Sequence, residues 1–251
     1  MERDVSGYEV AGLTWDRVGE RLLAGTRAIL PIGAGAKEHG LHMPMATDQV
    51  FADYFARALA ENTDALIWPT LTYGAHPAFV AYAGSISLND QTFTALVTEI
   101  ADAIIDFGAK SLFILDTGLS TIAPVDAAIR ASRHPSRVRH ITVFRGPHFL
   151  ATARDLMRQP YGSHADEIET SLMLAIAPEL VDMTRARASP FPATGPTPGP
   201  LSPDDQRSPN YSPSGSYGDP TLASVDKGTR LLAAILEDLR EEAQRNREVK
   251  R

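Results

Sequence analysis

From residue 10 to residue 145, short runs rich in β-branched and aliphatic residues alternate with longer amphipathic runs, and no other feature of the sequence limits the fold so strongly. A chain with this rhythm builds βαβ units, which assemble into a mostly parallel sheet covered by helices. The strand-like runs are Arg27 to Ile32, Ala65 to Pro69, Ser111 to Asp116 and Val138 to Phe144. Between them lie helical runs: Thr14 to Ala24 with Thr14 as N-cap, Asp48 to Asn62, Asp90 to Phe107 closed by Gly108, and Pro124 to Ser132. Two further amphipathic stretches, about Ala165 to Ala177 and Ser224 to Arg245, read as cover for the sheet. With 251 residues, 43% of them hydrophobic, one sizeable core is expected, and the chain reads as a single α/β domain over 1–251.

Several function classes drop out. Lys plus Arg number 24 and Asp plus Glu 31, and the net charge of -7 is spread along the chain, so nucleic acid is not an expected partner. The absence of cysteine excludes disulfides, thiolate metal sites and a Cys nucleophile, leaving His and carboxylates to hold any metal. The longest apolar runs fall far short of the ~20 residues of a membrane span, and Met1 to Asp4 lack a signal-peptide start, so the expected location is cytoplasmic. From Ser189 to Pro220 the chain carries nine prolines with Gly, Ser and Asp. This excursion reads either as a linker or, with Tyr211 and Tyr217 as anchors, as an ordered loop over a site or a neighbouring subunit.

Three of the seven histidines lie in two short segments that also carry acids, Lys37 to Asp48 and His164 to Thr170. The first follows the strand ending Pro31-Ile32-Gly33, where a parallel sheet binds its ligands. His39 and Asp48, nine residues apart, can converge on one cation, although Asp48 alone reads equally as a helix N-cap. In the second segment Asp166 and Glu169 share a helix face, which brings acid and imidazole toward one cleft with His164. Acids such as Glu167 also serve simply as dipole stabilisers in a first turn.

These residues resemble the creatininase (creatinine amidohydrolase) family over nearly the whole length. The matching elements are Leu13-Thr14-Trp15, Pro31-Ile32-Gly33, the pattern through His39, Gly40, His42, Pro44 and Asp48, Tyr73-Gly74, Gly84 to Leu88, His164 to Leu174, and Gly218-Asp219-Pro220 with Lys227-Gly228. The resemblance implies a three-layer α/β/α sandwich, a bound divalent metal, a ring-like homo-oligomer, often a hexamer, and hydrolysis of a cyclic amide, lactam or formamide of a small-molecule substrate. Three of the family's five usual ligand positions depart here: Lys37 stands in place of a Glu, and Leu119 and Thr121 in place of a His and a Glu. One ion of Zn, Mn or Fe is therefore expected, held by His39 and Asp48. Glu38, His42, His164 and Glu169 are the candidates for a further ligand, His42 foremost. In the expected reaction Lys37 orients substrate, Glu38 or Glu169 takes the proton of a metal- or base-activated water, and His164 donates to the leaving nitrogen or steadies the oxyanion. A lactonase, isomerase or cyclase on the same scaffold, and a catalytically silent scaffold subunit, are the rival readings.

Overall fold

The computed structural model describes residues 8–190 and 199–248; Met1 to Asp4 and residues 191–198 of the Pro-rich excursion lie outside them. Strands β1 (Ala28–Ile32), β2 (Leu66–Ile67), β3 (Leu112–Asp116) and β4 (Val138–Thr142) form one parallel sheet in the order β2-β1-β3-β4. Ile32 is level with Asp116 and Asp116 with Thr142, so β1, β3 and β4 end together on one edge.

Every residue of β1 and β3 is buried, as expected for strands covered on both faces. Alternate residues face opposite layers. Ile29, Phe113 and Leu115 join Phe51, Phe55 and Leu59 of α2 (Thr47–Thr63), Phe149 of α5 (Pro147–Leu156), Leu172 of α6 (Glu167–Ile176) and Leu231 and Ile235 of α7 (Val225–Glu248). Leu30, Ile32, Leu112 and Ile114 face the other way, onto Leu22 of α1 (Trp15–Leu23), Phe93, Val97 and Ile104 of α3 (Asp90–Asp106) and Val125 of α4 (Ile122–Ala131). The expected α/β/α layering follows directly from this period-two division.

Sequence and structure differ at three places. Helix α5 is absent from the helical runs read in the sequence; it begins with Pro147, which fits a first helical position because its missing N–H would have no partner there. The fourth strand stops at Thr142, where the chain tightens into a short turn at Val143–Arg145. The second strand shrinks to Leu66–Ile67.

Helices α6 and α7 approach closely at Gly228, where a Cβ would collide with the Ser171 carbonyl oxygen and lie 2.9 Å from Ala175 Cβ. Gly228→Ala should therefore destabilise the fold by about 1–3 kcal/mol despite the better helix propensity of alanine, an outcome read from thermal melting.

Candidate active site

The site forms at the C-terminal edge of β1 and β3. Gly33 follows β1 directly, and a Cβ there would collide with the Asp48 carbonyl oxygen, so only glycine lets the first turn of α2 approach the sheet. Thr117, just beyond β3, clasps that turn: its hydroxyl lies 3.1 Å from the carbonyl oxygens of both Ile32 and Asp48. The N-cap of α2 is Ala46 rather than Asp48. Asp48 instead turns its carboxylate inward, where its Oδ1 is 2.9 Å from His39 Nε2 and its Oδ2 is 2.7 Å from Lys37 Nζ.

Lys37, Glu38 and His39 are all buried. Lys37 and His39 meet on Asp48, while Glu38, between them, points elsewhere and accepts from His164 Nε2 at 2.7 Å. This is the divergence that successive residues of an extended segment produce. His39 Nδ1 donates to the Lys37 carbonyl at 3.0 Å, and Gly40 N donates to Glu38 Oε2 at 2.9 Å. Burial works against each charge but is outweighed. Asp48, then Glu169 and Glu38, holds the Lys37 ammonium above its ordinary value, and Lys37 and His39 hold Asp48 well below the usual carboxylate range. Glu38 is likewise lowered, by His164 and the Gly40 N–H.

Asp166 caps α6 by accepting from the N–H groups of Ile168 and Glu169, and burial with the nearby Glu169 charge pushes its carboxyl up to about 6. That cap fixes Glu169, whose Oε2 accepts from Ala165 N at 2.5 Å and lies 3.7 Å from His164 Nδ1. The His164 ring packs against His39 at 4.8 Å and Phe79 at 4.3 Å between centroids, and Lys37 Nζ lies 4.9 Å from the Phe79 ring centre. His42 is bound to Thr170 Oγ1 at 2.8 Å through Nε2, and burial with His39 and His164 beside it pulls it down to about 4. Glu167 is fully buried, pairing with Lys227 and accepting from the backbone N–H groups of Arg158 and Gln159. It anchors α7 rather than merely balancing a helix dipole.

The described part of the Pro-rich excursion packs on this same site. Tyr217 pairs with His164 in an antiparallel bridge, Tyr82 OH donates to the Ser212 carbonyl at 2.6 Å, and Gly215, at a φ of 81°, closes on Glu38 so tightly that a Cβ would collide with its carboxylate.

Two contributors escaped the sequence reading, Phe79 and His76. Both lie in the segment after β2, where no acidic neighbour drew attention to them. His76 is buried, and burial together with the Lys37 charge pulls it down to about 4. It stays neutral in the fold while the unfolded chain protonates it, so stability is lost as pH falls from 6.5 toward 4. His76→Phe should flatten that stretch of a pH–stability curve by up to about 3 kcal/mol, at about 1.4 kcal/mol per unit.

The family model described as creatinine amidohydrolase matches residues 11–242. The chain belongs to the creatininase family. It is 29% identical over 248 residues to creatinine amidohydrolase of Pseudomonas putida, covering 92% of this chain and 94% of the relative. It is 28% identical over 230 residues to a mycofactocin precursor peptide peptidase of Mycobacterium tuberculosis, covering 84% and 81%. A solved structure of creatininase with Mn superposes with a TM-score of 0.78 at 25% identity, covering 95% of this chain and 98% of that one.

Within this creatininase fold, His39, His164 and Glu169 each offer one ligand atom, all within 4.8 Å of one another. Two imidazoles and a carboxylate suit zinc, manganese or iron, so the residues fit one ion. The structure thus groups His39 with His164 and Glu169, while Asp48 stays between Lys37 and His39 Nε2 and His42 is bound to Thr170. A second ion finds no comparable set among the described residues. The Thr121 hydroxyl is committed to both Asp116 carboxylate oxygens at 2.8 and 2.9 Å, Leu119 is half exposed, and Lys37 holds the free oxygen of Asp48. No helix among the described residues is long and apolar enough to cross a membrane.

Proposed function

We propose that the chain hydrolyses the C–N bond of a small cyclic amide, lactam or formamide. The carrying observation is the buried Glu38–His164 pair at 2.7 Å beside an ammonium that Asp48 holds at 2.7 Å. An ion held by His39, His164 and Glu169 would supply Lewis-acid polarisation of a carbonyl and acidify a water. Glu38 fixes the proton of His164 on Nε2, which leaves Nδ1 free of a proton 3.7 Å from Glu169 Oε2. Kept anionic, Glu38 is the base that takes a proton from the attacking water and returns it to the leaving nitrogen. Lys37 brings a fixed positive charge to the carbonyl oxygen where negative charge develops, and Asp48 and the Phe79 face keep its ammonium in place. Burial of Lys37, Glu38, His39, Asp48 and His164 below 10% exposure favours a small substrate over a long peptide.

A panel of creatinine, other lactams and cyclic imides, N-formyl amines, short peptides and lactones, each with added Zn, Mn or Fe, tests the reading. Turnover of a small amide, abolished in Glu38→Gln, is the expected result. Turnover confined to lactones or peptides, or none at all, would remove it. We also place the chain in a homo-oligomer, supported by Trp15, Leu23 and Phe107 standing exposed on the single chain. Light scattering at the mass of one 27.2 kDa chain would contradict that placement.

A further inference from the structure

His76 is a buried imidazole whose chemistry the reaction above does not use. Its backbone N–H donates to Ser87 Oγ at 2.8 Å, which pins the loop after β2 to the segment before α3. Ser120 Oγ donates its hydrogen to the Ala75 carbonyl at 2.7 Å. Toward His76 Nδ1, 3.3 Å away, that oxygen can then only accept, so the ring proton belongs on Nδ1. The neutral ring leaves Nε2 with a bare lone pair, and that atom is buried with no protein partner. A buried acceptor without a donor costs roughly 1–3 kcal/mol unless something else supplies the hydrogen.

The ring lies near enough to Lys37, Asp48, His39 and His164 for their charges to act on it. Gly74 packs beside that atom, since a Cβ there would lie 2.7 Å from Nε2 and crowd whatever donates to it. His76 is not among the residues whose ligand atoms cluster for a metal, so a hydrogen-bond donor on the substrate is the better occupant. The loop through Ser120 and Thr121 bonds to His76 and Asp116.

We propose that His76 Nε2 accepts a hydrogen bond from an N–H of the substrate while Lys37 donates to its carbonyl oxygen, so that the site selects molecules carrying an unsubstituted C(=O)–N–H unit. Lys37 has only donors and His76 Nε2 only an acceptor, and together they read the two ends of that unit with opposite polarity. A lactone has no such hydrogen to give, and an N-alkylated amide has lost it. This inference rests on the amide reading of the site and names its substrate class.

The test uses two probes of one ring shape on the full chain: 2-imidazolidinone, which carries N–H groups, and 1,3-dimethyl-2-imidazolidinone, which does not. Calorimetric titration of the wild type should show the N–H ring binding about tenfold more tightly, the worth of one buried hydrogen bond. His76→Ala should bring the ratio close to one, and His76→Gln, which retains an acceptor oxygen, should restore part of it. A ratio unchanged in His76→Ala would mean that the methyl groups clash elsewhere and would overturn the proposal, as would equal binding in the wild type or no binding of either ring. Long-range proton–nitrogen NMR of the His76 ring gives a reading independent of any ligand, and a proton on Nε2 would also overturn it. Because neither ring needs to be hydrolysed, failure here is distinguishable from failure of the hydrolase assignment.

Discussion

Lys37→Met should lower the melting temperature by about 6–12 °C and abolish most turnover. The methionine keeps the stem and deletes the charge, and so strips the buried Asp48 carboxylate of the ammonium 2.7 Å away. Removing one partner of a buried pair typically costs about 3–5 kcal/mol, and His39, still 2.9 Å from the other carboxylate oxygen, keeps the loss near the lower figure. About 3 kcal/mol at 2–4 °C each gives the stated range for a chain of this size. From sequence alone the same change looks nearly harmless to folding, because Lys37 reads there as a substrate-orienting group near Asp48 and nothing in the spacing shows how deeply that lysine is buried. Its burial reverses that expectation. Asp48→Asn added to Lys37→Met removes the stranded charge and should recover part of the stability, a coupling that a double-mutant cycle measures directly. A single variant that melts with the wild type would contradict the ion pair.

Glu38→Gln should reduce turnover by about 10²–10⁴-fold on whichever small amide the chain hydrolyses, with the fold retained. The amide keeps the shape and can still accept from His164 Nε2, but it cannot take a proton. The loss should fall on kcat, since Glu38 acts on the attacking water and the leaving nitrogen rather than holding the ground-state substrate. A variant that keeps most of its turnover would pass the role of base to Glu169, whose Oε2 lies 3.7 Å from His164 Nδ1.

How far the sequence announces this architecture depends on the range of the contacts involved. Strands β1 and β3 are legible because burial on both faces leaves a continuous apolar run, and α3 because Gly108 closes its amphipathic run; its cap at Asn89 emerges only in the structure. The meeting of Lys37 and His39 on Asp48 spans about one loop and one helical turn, so local spacing reveals it. The bond between Glu38 and His164 joins residues 126 positions apart and becomes visible only when the sheet brings both segments to one edge. His76 and Phe79 carry no signal of their own, since an isolated imidazole or ring between two loops matches a packing role equally well. The Pro-rich excursion reads ambiguously because prolines exclude regular ladders without saying where the chain goes. Pairing of Tyr217 with His164 and closure of Gly215 on Glu38 show that its described part walls the site.

Lys37 sets its own ammonium, 2.7 Å from Asp48, in the place where a second ion would need a carboxylate, so we expect the site to take no more than one divalent ion. Elemental analysis by plasma mass spectrometry, on full-length chain loaded with excess Zn or Mn and then desalted, tests that claim most directly. The account predicts at most one equivalent per chain. Two tightly held equivalents would contradict it, because the second would have to displace Lys37 from Asp48 and draw ligands from residues that are committed elsewhere.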